Sequence, residues 1–163
     1  MNDAARNMQG EVRRLRSGDL EQVIAIDAHH FGEPRRGFFE KRLAQARRHP
    51  QDYVQVGIDR NGVLVGFAFA CVLRGEFGRE QTSATLDAIG VVVSHREQGV
   101  GRALMESLVE ALRREGVRSL QSQAGWTNDA VLRFFDASGF GLAPRLVLER
   151  TTLTPLSETV DIE

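Results

Sequence analysis

The chain is 163 residues long, 42% hydrophobic and 26% charged, with a formal net charge of −1, the size and mix of one globular domain with a real core. That near-neutral balance excludes a general nucleic-acid binder, which carries a clear basic excess. The longest nearly apolar run, Val63 to Leu73, falls well short of the ~20 residues a membrane span needs.

Lys41 is the only lysine, so the positive charge is almost all arginine, which pairs bidentately with phosphate or carboxylate. Cys71 is the only cysteine and lies in an apolar run; it reads as a buried structural thiol in a protein of a reducing compartment. The first 14 residues lack the apolar segment of a secretory signal. A cytoplasmic protein is expected.

Residues 1–10 read as a loose terminus, 11–153 as one domain and 154–163 as a C-terminal tail. Glu11 to Arg16 alternates as an edge strand does, and Ser17 is expected to cap a helix over about 18–28 that ends at His29-His30-Phe31-Gly32. A second helix opens at Pro34, with Phe38, Phe39 and Leu43 on one side, and closes near His49-Pro50. Tyr53 to Ile58 and Val63 to Leu73 are expected strands around the turn Arg60-Asn61-Gly62. A polar loop, Gly75 to Ser83, follows.

The centre of the chain is Leu86 to Leu112. A β-branched apolar run gives way to apolar residues at Val100, Ala103, Leu104, Leu108, Ala111 and Leu112, which is strand followed by helix. Gly99 and Gly101 fall at the junction, where a helix presents free N–H groups and its positive dipole end, the makings of an anion site. Gly116 stops the helix, and Val117 to Gln123 is the next strand, parallel to the first. Thr127 or Asn128 caps a helix with Val131, Leu132, Phe134 and Phe135 inside, Gly139 ends it, and Arg145 to Thr152 reads as a last strand.

Two nucleotide-binding motifs fail on the residues. The dinucleotide fingerprint wants a small residue where Leu104 stands and an acid after the next strand, where Gln121 and Gln123 stand. A P-loop needs Gly-Lys followed by Ser or Thr, a sequence found nowhere in the chain.

Arg96-Glu97-Gln98-Gly99-Val100-Gly101 resembles the Arg/Gln-x-x-Gly-x-Gly/Ala turn of the GNAT superfamily of N-acetyltransferases, and Asn128 to Phe140 resembles that superfamily's second motif. The resemblance spans roughly Glu11 to Thr152 and implies an α/β, GNAT-like acyl-CoA N-acyltransferase fold: a mixed central sheet with a parallel βαβ unit and flanking helices. It implies acetyl-CoA as donor and no metal. Main-chain groups of Val91, Val92 and Val93 would bond the pantetheine arm. The turn Gln98, Gly99, Val100, Gly101, Arg102 and Ala103 would cradle the pyrophosphate, with Arg96 and Arg102 as counter-charges or as plain solvated surface. Asn128 would face the pantetheine and Phe135 the thioester.

The reaction so implied is attack of a primary amine, on a small molecule or a peptide, with a backbone N–H near Val91 facing the developing oxyanion. The alternative is a non-catalytic acyl-CoA-binding or regulatory module. Many members carry a tyrosine acid where Phe135 stands, and some a glutamate base where Gln123 stands; neither side chain here titrates. Asp87 is the preferred base, set by strand alternation on one face with Thr85 and Ile89, or else a structural carboxylate paired with arginine. Glu76, Glu80 and Asp129 are further candidates. Adjacent His29 and His30 point apart on a helix, which disfavours a metal pair. Trp126 walls the acceptor pocket or packs in the core. A single strand after Phe140 leaves the acceptor side open to a peptide, or lets the tail complete the sheet of a homodimer partner. Neither a nucleic acid nor a membrane is an expected partner.

Overall fold

A computed structural model describes residues 10–153; the loose terminus and tail expected from the sequence, Gly10 aside, lie outside the described residues. The elements are β1 (Glu11–Arg13), α1 (Leu20–Phe31), α2 (Arg36–Arg48), β2 (Tyr53–Arg60), β3 (Val63–Leu73), β4 (Ser83–Val91), α3 (Val100–Arg114), β5 (Ser119–Gln121) and α4 (Asp129–Ala137). The strands form one sheet in the order β1-β2-β3-β4-β5, antiparallel from β1 to β4 and parallel between β4 and β5.

The apolar pattern of β3 explains the layering. Ala68, Ala70 and Val72 join Leu104, Leu108 and Leu112 of α3 in one core, while Phe67 and Phe69 join Val23 and Ile26 of α1 and Phe39 and Leu43 of α2 in another. A strand buried on both faces must be apolar throughout, and this one is. The helices come very close. A side chain at Gly66 would meet Leu104 at 2.9 Å and Val100 at 3.0 Å, so the missing Cβ is what lets the first turn of α3 rest on the sheet. Between β2 and β3, Asn61 and Gly62 both have positive φ (52° and 76°), the conformation of a tight type I′ hairpin turn.

Several expectations need correction. Ser17 makes no capping bond; the Asp19 carboxylate instead accepts from the Arg16 N–H at 2.6 Å, residues 17–19 form a 3-10 turn, and α1 runs three residues further than expected, to Phe31. Strand β5 spans only Ser119–Gln121, because its ladder with β4 stops at Thr85 opposite Gln121 and the small, polar residues that follow offer little to pack. Residues 145–152 form no strand: Leu146, Val147 and Leu148 are a short apolar run as a strand would have but are 87%, 69% and 89% exposed, with no neighbouring edge paired to them. Leu132 also points to solvent, since only Val131, Phe134 and Phe135 of α4 turn inward. Cys71 is half-buried, and burial, then Asp87, pushes its thiol up from the ordinary value.

The first strand is tied down by charge. The Arg13 guanidinium donates to both oxygens of Asp19, at 2.7 and 2.8 Å, and to Asp59 at 2.6 Å, with all three side chains largely shielded. Burial would raise the Asp19 pKa, but bonds from Arg13 and the Arg16 N–H outweigh it and hold the carboxyl below the usual range. A lowered folded-state pKa contributes stability above the unfolded value of ~3.9 that is lost as pH falls through and below it. Asp19→Ala is expected to cost about 2 kcal/mol in denaturant unfolding at pH 7, because it removes the charge-assisted bonds from Arg13 and leaves that guanidinium with Asp59 alone, and the difference from wild type is expected to shrink below pH 4.

Candidate active site

The turn before α3 is held open and pre-shaped. Glu97 and Gly99 have positive φ (59° and 80°), and the first bond into the helix runs from the Ala103 N–H to the Gly99 carbonyl at 3.0 Å. No side chain caps this end and no acid sits in its first turn. The N–H groups of Val100, Gly101 and Arg102 therefore precede the first intrahelical donor and have no helical partner. The side chain of Gln98 does not face this end. It accepts from Arg60 at 2.5 Å and donates to the Ser94 carbonyl at 2.9 Å, staking the turn to the end of β2. Of the two candidate counter-charges, Arg102 is exposed and engaged with Glu106 at 2.8 Å, whereas Arg96 meets, among the described residues, the ring of His30 at 3.3 Å. A side chain at Gly101 would lie 3.2 Å from Phe134, so that glycine faces α4 at close quarters.

The second feature is a free strand edge. Strand β4 pairs with β3 along its length but with β5 only from Ser83 to Thr85. The Val92 N–H donates to Val65 at 2.9 Å, towards β3. Successive residues of an antiparallel strand turn their backbone groups to opposite sides, so Val91 directs its N–H and carbonyl to the open side. Val93 lies in a 3-10 turn after the strand, exposed. The uncapped helix end adjoins the open edge of β4 and α4: a Cβ at Gly101 would lie 3.9 Å from the Val91 side chain and 3.2 Å from Phe134. There Phe135 stacks on Phe140 with ring centres 4.8 Å apart, and the Asn128 side-chain oxygen accepts from the Val131 N–H at 3.3 Å as a helix cap. An uncapped helix start suits a diphosphate, and an unpaired strand edge beside it suits an extended amide-bearing arm.

Asp87 sits at a β-bulge. Ala70 pairs with Leu86 and Phe69 with Ala88, so Asp87 is the extra residue between them. The bulge breaks the expected alternation: Ile89 joins Leu86 in the α3 core while Ala88 joins the α1/α2 core, so Ile89 does not share a face with Asp87. Asp87 faces α2, with its carboxylate oxygen 3.1 Å from Arg42 Nε and its side chain 11% exposed. Their alignment is poor, and both atoms lack a hydrogen-bond partner. Burial raises the Asp87 pKa, and Arg42 only partly opposes it. A shielded carboxylate with a raised pKa is suited to taking a proton.

Other residues gather here that the sequence reading left unassigned. Gln121 accepts from Arg79 and donates to Thr85, both at 3.4 Å, on the face of Asp87. His30 reaches Arg96 and the main chain of Val91, and burial, then Arg96, lowers its pKa and keeps it neutral. The pairing of buried Asp27 with Arg35, at 2.5 and 2.7 Å, pins the turn that carries His30. A contact such as that of His30 with Arg96, 66 positions apart, leaves no periodic trace in a sequence. Trp126 is 90% exposed and so is not core. Glu76, Glu80 and Asp129 are exposed as well.

The family model for the GNAT acetyltransferases matches residues 19–140. The chain belongs to the GNAT family of acetyltransferases. Among curated proteins, the [ribosomal protein bS18]-alanine N-acetyltransferase of Escherichia coli K12 is 28% identical over 124 residues, covering 76% of this chain and 79% of that one. Mycothiol acetyltransferase of Propionibacterium freudenreichii is 27% identical over 136 residues, covering 78% of this chain and 42% of that longer protein. Among solved structures, an aminoglycoside acetyltransferase from a soil metagenome matches with a TM-score of 0.69 at 19% identity, over 90% of this chain and 97% of that one. A protein described as a transcriptional regulator from Bacillus halodurans matches with a TM-score of 0.72 at 17% identity, over 87% and 99%. At such identities the structural matches establish the fold. The GNAT fold expected from the sequence is the one found.

Gly99→Ala tests the turn. With φ at 80°, a Cβ is strained whatever the space around it, and the substitution is expected to lower unfolding free energy by about 1 kcal/mol while leaving the far-ultraviolet circular dichroism unchanged.

Proposed function

We propose that the chain transfers an acetyl group from acetyl-CoA to a primary amine by direct attack, with Asp87 as general base. The observation that carries the reading is the bulge, which turns a shielded carboxylate, set against Arg42 in poor alignment, out of the strand whose open edge adjoins the uncapped helix.

Backbone groups of Val91, with Val92 and Val93 beyond them, would hold the pantetheine arm; Gln98 through Ala103 would hold the pyrophosphate with Arg96. Asn128 and Phe135 would border the arm from α4. The amine nitrogen attacks the thioester carbon and gives its proton to Asp87. Negative charge grows on the carbonyl oxygen, and the Val91 N–H, which points away from β3, is aimed to meet it. The carbon–sulfur bond then breaks, and the thiolate leaves without an acid, since a thiol of pKa ~8.5 needs little help. Phe135 can therefore stand where a proton donor is common. The acceptor is a small molecule or a peptide amine, and the relatives' names, one for an alanine of a ribosomal protein and one for aminoglycosides, span both. The lone Cys71 and the donor's availability point to the cytoplasm, and the exposed apolar segment at 146–148 favours a homodimer over a monomer. Among the described residues no helix is long and apolar enough to cross a membrane.

Acetyl-CoA at a hundredfold excess over its Kd is expected to add about 2.7 kcal/mol of stability, seen as a rise in Tm. No rise would remove the reading. Release of free thiol across a panel of amines then tests turnover. An ionised Asp87 is the active form and its pKa is raised, so kcat/KM is expected to fall with decreasing pH through a value above the ordinary carboxylate range; Asp87→Asn is expected to lower kcat by about 100-fold or more and to abolish that limb. An unchanged profile would discard Asp87.

A further inference from the structure

We infer that Arg79 reads a carboxylate on the acceptor, so that the amine substrate is an ω-amino acid or a longer molecule bearing an anionic group several bonds from its amine. This rests on the acetyltransfer reading, with the amine received at Asp87.

Arg79 comes from the loop between β3 and β4 and is half-buried. Among the described residues it forms no ion pair; its side-chain bond goes to the neutral Gln121 amide, at 3.4 Å. Most other guanidiniums near the site are committed: Arg35 to Asp27, Arg42 to Asp87 and Arg102 to Glu106. A partly shielded cation held by a long bond to a neutral amide can gain a charge-assisted pair when an anion arrives. Gln121 bonds onward to Thr85, which precedes Asp87 by two residues on the α2 side of β4, so the cation and the base share one shelf.

Spacing selects the acceptor. Residues two apart on a strand lie roughly 7 Å from each other, and Arg79 is a further side chain removed from Thr85. An α-amino acid carries both groups on one carbon and cannot reach from Asp87 to Arg79. A chain with four or five bonds between them can. A single guanidinium beside a carboxylate also suits a monoanion better than a phosphate dianion, which Asp87 would repel.

The experiment compares 5-aminopentanoate with n-pentylamine, two primary amines of similar basicity, in thiol-release kinetics at pH 9 with saturating acetyl-CoA. Wild type is expected to prefer the carboxylated amine by about ten- to a hundredfold in kcat/KM, mostly through KM. In Arg79→Gln the ratio is expected to fall to near one, and Arg79→Lys, which keeps the charge without the fork, is expected to retain part of it. Equal values for the two amines in wild type, or a preference that survives in Arg79→Gln, would overturn the inference. Should no amine release thiol, the acetyltransfer reading is what fails. Calorimetry of 5-aminopentanoate on the CoA-saturated protein then decides the subsite by itself: heat in wild type that Arg79→Gln loses supports it, and no heat in wild type contradicts it.

Discussion

The parting of β4 from β5 after Thr85 is the constraint on which the rest of the molecule depends. A sheet interior normally satisfies every backbone group on both sides of a strand. Here β3 satisfies one side of β4 throughout, and β5 leaves the other after three residues. Val91 is left with main-chain groups directed to that open side, and the chain then turns through Glu97 and Gly99 into a helix whose uncapped start adjoins it. Unpaired backbone groups of this kind suit a ligand made of amides and phosphates.

The helices make the parting affordable. Gly66 lets α3 rest on β3, and Gly90, where a Cβ would meet Ile26 at 2.8 Å, lets α1 rest on β4 from the other side. Tight packing on both faces supports β4 although most of one edge is unpaired. The bulge at Asp87 is the second local departure from a regular ladder, and it occurs within the same strand. Bulges commonly re-aim a side chain beside a site, and this one turns a carboxylate towards α2, where Arg42 compensates it incompletely.

Local sequence carried much of this. The two apolar periods on either side of Gly99 and the Asn61-Gly62 turn are short-range signals, and the elements they mark formed as expected. What was not legible depends on partners far apart in the chain. Strict alternation assigned Ile89 to the face of Asp87, and only pairing with β3 reveals the extra residue that moves it. The apolar run Leu146-Val147-Leu148 looks like a strand, but a strand exists only where an edge receives it. Arg42, Arg79 and His30 are ordinary polar residues in sequence; each gains meaning from a neighbour 36 or more positions away, as with Arg79 and Gln121 or His30 and Arg96.

The central claim is that backbone amides at the helix start and the open strand edge grip the donor. Amide-resolved NMR of the uniformly nitrogen-15-labelled protein, titrated with acetyl-CoA, tests it most directly. The account predicts saturable shifts concentrated at the amides of Val91, Val100, Gly101 and Arg102, with those of β1 and the C-terminal end of α3 unmoved. Saturable shifts that bypass these four amides, or none at all at millimolar acetyl-CoA, would contradict it.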